Sequence, residues 1–137
     1  MAVPLDSGFL LASLNSAEAE HQATIAVLES IREPIILPIP AITEVAYLLA
    51  RDIGNDAAAQ FISSLADTEL VLEAPVAADY LRSAEILRQY ADAHLDFVDA
   101  LIAATAERLN IRQVLTLDRR DFLLIRPKHC NGFELLP

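Results

Sequence analysis

The predicted strands of this chain are apolar along most of their length, and this feature limits the folds that the chain can adopt. The segments PIILPIP at 34–40 and RQVLTLD at 112–118 lack the regular polar alternation of a half-exposed strand. Strands of this kind are buried on both faces, as in a parallel sheet that is covered by helices on each side. The chain is therefore expected to place a mostly parallel sheet at its centre.

Helical segments separate the predicted strands and supply the covering layers. Five strands are predicted, at 2–6, 34–40, 69–75, 112–118 and 132–137. Six helices are predicted between them, at 7–15, 17–33, 41–52, 56–67, 76–91 and 96–110. Asn55 and Asp96 are the expected N-caps of the fourth and sixth helices. The alternation predicts an α/β fold, although Pro4 is unusual in a central strand: either that strand begins at Leu5 or the N–H missing at Pro4 is not needed.

Length, charge and cysteine content narrow the possible functions. The chain has 137 residues, enough for one domain at 1–137, and no apolar run approaches the roughly 18 residues of a membrane span. It lacks the basic start of a secretory signal, and its single cysteine, Cys130, suits a reducing compartment such as the cytoplasm. The net charge of −10 argues against nucleic-acid binding by electrostatics alone, although six of the ten basic residues lie between Arg108 and Lys128.

Four acidic residues lie just after predicted strands or near the starts of predicted helices. They are Asp6 and Asp118, which follow strands, Glu44 in the first turn of a helix, and Asp99 at the third position of another. Each has an ordinary explanation alone, because acids favour turns, N-caps and the first turns of helices. In a parallel sheet, however, all four come to one edge, where carboxylates repel one another. A cation removes this conflict, and ligands that are all oxygen favour Mg²⁺ or Mn²⁺.

Two further acids stand three residues from members of this set. Asp96 precedes Asp99 and is interpreted as a helix cap, with a place in the metal shell as the alternative. Asp121 follows Asp118 and is interpreted as a turn residue. Zinc is not expected, because the three histidines are scattered along the chain without ligand spacing.

Four segments resemble the acidic motifs of PIN-domain ribonucleases. They are LDSGFLLA with Asp6, PIPAITEVAYLL with Glu44, LDFVDALIAATAE with Asp99, and VLTLDRRDF with Asp118. These segments follow the order and spacing of that family over nearly the whole chain, and they are most similar to the VapC toxins of bacterial toxin–antitoxin pairs. The resemblance implies a three-layer α/β/α domain and Mg²⁺-dependent cleavage of RNA.

The same resemblance implies roles for individual residues of the predicted pocket. Asp6 and Asp99 would be the primary metal ligands, while Glu44 and Asp118 would complete the acidic pocket. Ser7 occupies the position of a small polar residue in the first motif. These residues would together hold Mg²⁺, with Mn²⁺ as a substitute.

The expected macromolecular partners are RNA and a small antitoxin protein. Arg119 and Arg120 are candidates for contacts to RNA phosphates, with solvated loop residues as the alternative interpretation. The resemblance implies an antitoxin that wraps the toxin and blocks its pocket. The surplus apolar residues of the early helices are available for that contact and for a homodimer interface.

Three other functions remain to be weighed against an RNA-cleaving enzyme. A receiver-type Mg²⁺-binding module needs two adjacent acids after the first strand, whereas Leu5 and Ser7 flank Asp6. A phosphatase with an aspartate nucleophile needs a second acid two residues later, where this chain has Gly8. A catalytically silent PIN-like domain that only binds a partner would carry the same motifs, and a metal-dependent cleavage assay separates it from the enzyme.

Overall fold

The strands are short and all of their pairings are parallel. The computed structural model describes residues 2–137, with β1 at Val3–Pro4, β2 at Ile35–Pro38, β3 at Val71–Glu73, β4 at Gln113–Leu115 and β5 at Glu134–Leu136. β2 pairs with β1 and β3, and β4 pairs with β5. A single bridge between Leu5 and Leu115 joins the two groups, so the strand order is β3-β2-β1-β4-β5. The predicted parallel sheet of five strands is therefore confirmed.

Seven α-helices connect and follow these strands. They are α1 at Ser7–Leu14, α2 at His21–Ser30, α3 at Ile39–Asp52, α4 at Asn55–Ser64, α5 at Ala77–Gln89, α6 at Phe97–Arg108 and α7 at Arg119–Leu124. The first six correspond to the predicted helices, with ends that differ by up to four residues. The seventh was not predicted from the sequence. Among residues 2–137, no helix is long and apolar enough to cross a membrane.

The helices form one layer on each face of the sheet. One core cluster joins α1, α3 and α4 to strand residues that include Leu37 and Leu115. The other joins α5, α6 and α7 to strand residues that include Ile36 and Val114. Neighbouring residues of one strand thus enter different cores, as the two-residue period of a strand requires. This arrangement is the expected three-layer α/β/α sandwich.

Pro4 lies inside β1, so the possibility that the strand begins at Leu5 is wrong. The Val3 N–H donates to Pro34 O at 2.9 Å and the Leu5 N–H donates to Ile36 O at 3.0 Å. Successive N–H groups of a strand point in opposite directions, so a donor at Pro4 would face β4 instead. Pairing with β4 starts only at Leu5, and the donor that proline lacks is therefore not needed.

Two local predictions about helix starts are wrong. The N-cap of α4 is Gly54, with a φ of 127° that suits a residue without Cβ, and Asn55 is already inside the helix. Helix α3 begins at Ile39 because Pro40 is compatible with the first turn of a helix. Glu44 is consequently in the second turn of α3, beyond the first-turn position at which an acid interacts best with the helix dipole.

Candidate metal centre

An acidic pocket opens at the carboxyl edge of the sheet, beside the adjacent strands β1 and β4. The chain leaves β1 into one helical layer and leaves β4 towards the other, which makes this position the topological switch point of the sheet. The pocket has a volume of about 330 Å³. Its lining residues are Asp6, Ser7, Gly8, Glu44, Asp96, Asp99, Leu117 and Asp118. The structure thus brings the four predicted acids, Ser7 and Asp96 into one cavity.

Three of the aspartates are N-caps, and each cap orients a carboxylate at the pocket. Asp6 Oδ1 accepts a hydrogen bond from the Phe9 N–H at 2.8 Å. Asp96 Oδ1 accepts from the Asp99 N–H at 2.8 Å, as expected for the cap of α6. Capping fixes one oxygen of each carboxylate and leaves the second for another partner. A helix cap and a ligand are therefore compatible roles for the same residue.

The third cap, Asp118, belongs to the most compact group of acids. Its Oδ1 accepts from the Asp121 N–H at 3.1 Å, which places Asp121 in the first turn of α7. Single oxygens of Asp99, Asp118 and Asp121 all lie within 4.8 Å of one another. The interpretation of Asp121 as a turn residue is wrong, because this side chain is buried in a helix and lies close to Asp99 and Asp118.

Burial and mutual repulsion change the acidity of the two most buried acids of the pocket. Asp99 is 7% exposed, and burial raises its pKa to about 9, reinforced by the charges of Asp96 and Asp6. Burial also raises the pKa of Asp6 to about 6, although hydrogen bonds from Thr116 and the Phe9 N–H oppose the shift. The ionised forms of these two acids are therefore disfavoured without a counter-ion, which is the condition that a bound cation relieves.

Glu44 and Ser7 contribute oxygens from the helical layer that contains α1 and α3. Glu44 is half-buried, and burial raises the pKa of its carboxyl group, with a further contribution from the charge of Asp96. The nearby Ser7 hydroxyl lowers that pKa in part, although the two groups are outside hydrogen-bond geometry. Ser7 Oγ is fully buried and has no hydrogen-bond partner in the described structure.

Thr116 connects the two sides of the pocket and was not identified from the sequence. Its side chain is fully buried, and its hydroxyl donates to Asp6 Oδ2. The same hydroxyl accepts from the Asp118 N–H at 2.9 Å. One threonine thus orients an acid after β1 and an acid after β4. The segment TLD, in which a threonine precedes the acid by two residues, is the sequence signal that could have identified it.

The donor set fits a hard divalent cation. Asp121 Oδ1 is buried without a hydrogen-bond partner, and its nearest cation is the Arg120 guanidinium at 3.4 Å, on a side chain that is 74% exposed. Ser7 Oγ is the second unpartnered oxygen of the pocket region. Carboxylate and hydroxyl oxygens without a His or Cys ligand favour a hard divalent cation over zinc.

The first and last basic residues of the segment between Arg108 and Lys128 are already paired with acidic side chains of the protein. Arg108 contacts Asp79 at 2.9 Å and Glu73 at 2.8 Å, and Lys128 contacts Glu85 at 3.6 Å. Arg119 and Arg120 form the start of α7, directly after Asp118, so they lie in a helix rather than in a loop. The basic residues that remain beside the pocket are therefore those of α7.

Comparisons with known proteins agree with this architecture. The family model described as PIN domain matches residues 3–126. The chain is 31% identical to Ribonuclease VapC26 of Mycobacterium tuberculosis over 133 residues, which cover 97% of this chain and 98% of that protein.

Solved structures share the same fold. The structure of M. tuberculosis VapC20, described as a sarcin-ricin loop cleaving toxin, superimposes with a TM-score of 0.76 at 22% identity, over 82% of this chain and 86% of the other. A VapBC2 structure from Rickettsia felis, bound to a promoter DNA fragment, gives 0.72 at 14% identity over the full length of both chains. The family model, the full-length relative and the acidic pocket together establish that this chain belongs to the PIN-domain family.

Proposed function

We propose that the protein is a Mg²⁺-dependent endoribonuclease, the toxin of a VapC-type toxin–antitoxin pair, and that residues 1–137 form one PIN domain. The observation that carries the proposal is the compact set of Asp99, Asp118 and Asp121 oxygens within 4.8 Å of one another. Two members of this set, Asp99 and Asp118, line one pocket with Asp6 and Glu44. Such a pocket can neutralise and orient a phosphodiester only when it also holds a divalent cation. The name of the curated relative, a ribonuclease, supports RNA as the substrate.

The reaction is hydrolysis of a phosphodiester bond. A new bond forms between a water oxygen and phosphorus, and the bond from phosphorus to the leaving 3′ oxygen breaks. Asp99, Asp118 and Asp121 would hold one or two Mg²⁺, with Asp6 and Glu44 in contact directly or through water. Bound Mg²⁺ supplies a more acidic water and stabilises the charge that develops on the phosphate. A free carboxylate of the pocket accepts the proton that the water loses.

A cleavage assay tests this proposal against the catalytically silent alternative. Purified protein is expected to cut RNA with Mg²⁺ or Mn²⁺ and to be inactive in EDTA, because the charge of the pocket repels phosphate without a cation. Activity should return when Mn²⁺ is added to the chelated sample. Cleavage that persists under stringent chelation would contradict the metal mechanism, and no cleavage with either ion would favour the silent binding module.

The expected protein partner is a small antitoxin, and cytoplasmic residence and a homodimer remain predictions. A VapBC complex from Salmonella typhimurium and a toxin–antitoxin complex from Klebsiella pneumoniae share the fold with TM-scores of 0.69 and 0.67. Exposed apolar side chains such as Leu14 and Ile53 border a groove of about 250 Å³ that involves α1, α3 and α4. This groove suits the apolar face of an antitoxin segment.

Removal of two arginines from α7 should weaken RNA binding without removing the metal site. Arg119→Ala combined with Arg120→Ala is expected to raise the RNA Kd. The slope of log Kd against log salt concentration should fall by about two, because two phosphate contacts are lost. Mg²⁺ affinity should change little, because the carboxylates remain. Binding is measured by fluorescence anisotropy over a series of salt concentrations, with Arg32→Ala and Arg88→Ala as the control pair. An unchanged salt slope would assign both arginines to solvent.

A further inference from the structure

One phenylalanine is exposed at the start of α6, although the other four are buried. The buried four are Phe9, Phe61, Phe122 and Phe133, each 6% exposed or less. Phe97 is 43% exposed. It is the first residue of α6. Eight of the next nine residues of this helix, 98–106, are buried. Phe97 is therefore the phenylalanine whose ring is accessible to a ligand or a partner.

The position of Phe97 connects it to the pocket rather than to a remote surface. It directly follows Asp96, which lines the cavity, and it precedes Asp99 by two residues. Arg120 approaches from α7, where its Nη2 donates to Ala93 O at 3.4 Å in the loop before α6. This hydrogen bond ties Arg120 to the segment 93–97, of which Asp96 lines the pocket, and we call this segment together with Arg120 the α6 rim.

The α6 rim offers the two kinds of contact that a nucleotide needs beside its phosphate. The Arg120 guanidinium is largely exposed and can contact a neighbouring phosphate. An exposed aromatic ring can stack on a base, which is how proteins commonly hold bases of single-stranded nucleic acid. A partner protein that binds by burial of apolar area would gain little here, because Leu95 is buried and Asp96 is charged and exposed.

We infer that Phe97 is a substrate contact whose ring stacks on an unpaired RNA base next to the phosphate held at the acidic pocket. The inference rests on the proposed ribonuclease function and adds a residue outside the metal site. Stacking is independent of base identity to a first approximation, because every base has a π-face. Phe97 therefore places the RNA strand, while other contacts select its sequence.

This inference is tested by substitutions that distinguish the effect of the aromatic ring from the effect of an apolar side chain. Phe97→Leu keeps an apolar side chain without the ring, and Phe97→Tyr keeps the ring. Tyr47→Leu is the matched control, because Tyr47 is an exposed ring on α3 at 64% exposure. Each variant is examined by the equilibrium binding of a cleavage-resistant single-stranded RNA analogue containing 2-aminopurine in the presence of Mn²⁺, and by initial rates of cleavage of the unmodified RNA with Mn²⁺.

Phe97→Leu is expected to raise both the RNA Kd and the KM by roughly tenfold, which lies within the range of one lost base stack. The fluorescence change of 2-aminopurine should shrink with it, while kcat, Mn²⁺ affinity and melting temperature stay close to wild type. Phe97→Tyr should bind like wild type, and Tyr47→Leu should change nothing.

Unchanged RNA binding by Phe97→Leu would overturn the inference, as would an equal loss in Phe97→Tyr. A changed oligomeric state or weaker antitoxin inhibition with normal RNA binding would assign the ring to a protein contact instead. If the wild type bound the RNA but did not cleave it, the proposed catalysis would fail while the binding series still decided the role of Phe97.

Discussion

Asp99→Asn is expected to abolish RNA cleavage and to leave the fold intact. Asparagine keeps the shape of the side chain and can occupy the third position of α6. It removes one carboxylate from the proposed metal site that Asp99 forms with Asp118 and Asp121. Loss of residues that only support metal ligands lowers affinity or activity by about 10- to 100-fold, so loss of a ligand should exceed about a hundredfold. RNA cleavage and Mg²⁺-induced stabilisation are measured on the same preparation.

The difference in stability between Asp99→Asn and the wild type should grow as the pH rises. In the metal-free protein the pKa of Asp99 is about 9, above its ordinary value of 3.8, so folding favours the protonated form. The stability from this group is complete below pH 3.8 and is lost as the pH rises through 9. Asp99→Asn should therefore melt at or above the wild-type temperature in EDTA, with the larger advantage at alkaline pH.

Asp67→Asn is the matched control for this experiment. Asp67 is an exposed aspartate in the 3₁₀ turn at Leu65–Asp67, away from the acidic pocket. It should keep cleavage, Mg²⁺ stabilisation and the wild-type pH profile. An Asp99→Asn protein that melts lower, still gains stability from Mg²⁺ and still cuts RNA would reduce Asp99 to an ordinary acid at a helix start.

Thr116→Val is expected to weaken Mn²⁺ binding by about 10- to 100-fold, the range for groups that orient metal ligands. Valine has nearly the same shape, but it cannot donate to Asp6 or accept from the Asp118 N–H. The pKa of Asp6 should rise further, because the lost hydrogen bond lowers it. The partly buried Asp118 N–H also loses its partner, which should reduce the free energy of unfolding by less than the roughly 1–3 kcal/mol of a fully buried donor.

Two companion variants separate orientation of the acids from general stability. Thr116→Ser restores the hydroxyl and should recover most of the Mn²⁺ affinity. Thr24→Val removes another buried hydroxyl, which donates to His21 O in α2, and should leave Mn²⁺ affinity unchanged even if it lowers stability. Titration calorimetry with Mn²⁺ gives the affinities. Equal metal binding by Thr116→Val and wild type would show that the acids hold their positions without this threonine.

The α/β architecture was predictable because burial on both faces leaves a strong signal in short strands. Ile36 and Leu37 are neighbours that enter different cores, so a polar residue at either position would be buried without a partner. Strand and helix ends were less predictable. β1 has two residues, for example, although the predicted strand at 2–6 has five.

The acids of the pocket were predictable as a group, but two residues that complete it were not. Helix α7 has six residues and begins with two arginines, which is too short for an apolar period to reveal it. Without that helix, Asp121 has no reason to face Asp118. The spacing nevertheless repeats, because Asp96 and Asp118 each cap the N–H of an aspartate three residues later. Thr116 depends on a contact with a residue 110 positions earlier, which local patterns cannot supply.

The single bridge between β1 and β4 also affects the stage of chain synthesis at which the acidic pocket can form, because it joins Leu5 to Leu115. Asp6 and Glu44 lie in the first third of the chain, on the β1 side of that bridge. Asp99, Asp118 and Asp121 lie in the last third of the chain. The Thr116 N–H in turn donates to Leu136 O at 2.9 Å, so the final strand supports the threonine that orients Asp6. A nascent chain that ends before residue 136 therefore lacks the strand contact that supports this threonine. The acids of the pocket can meet only after these distant segments have left the ribosome and paired.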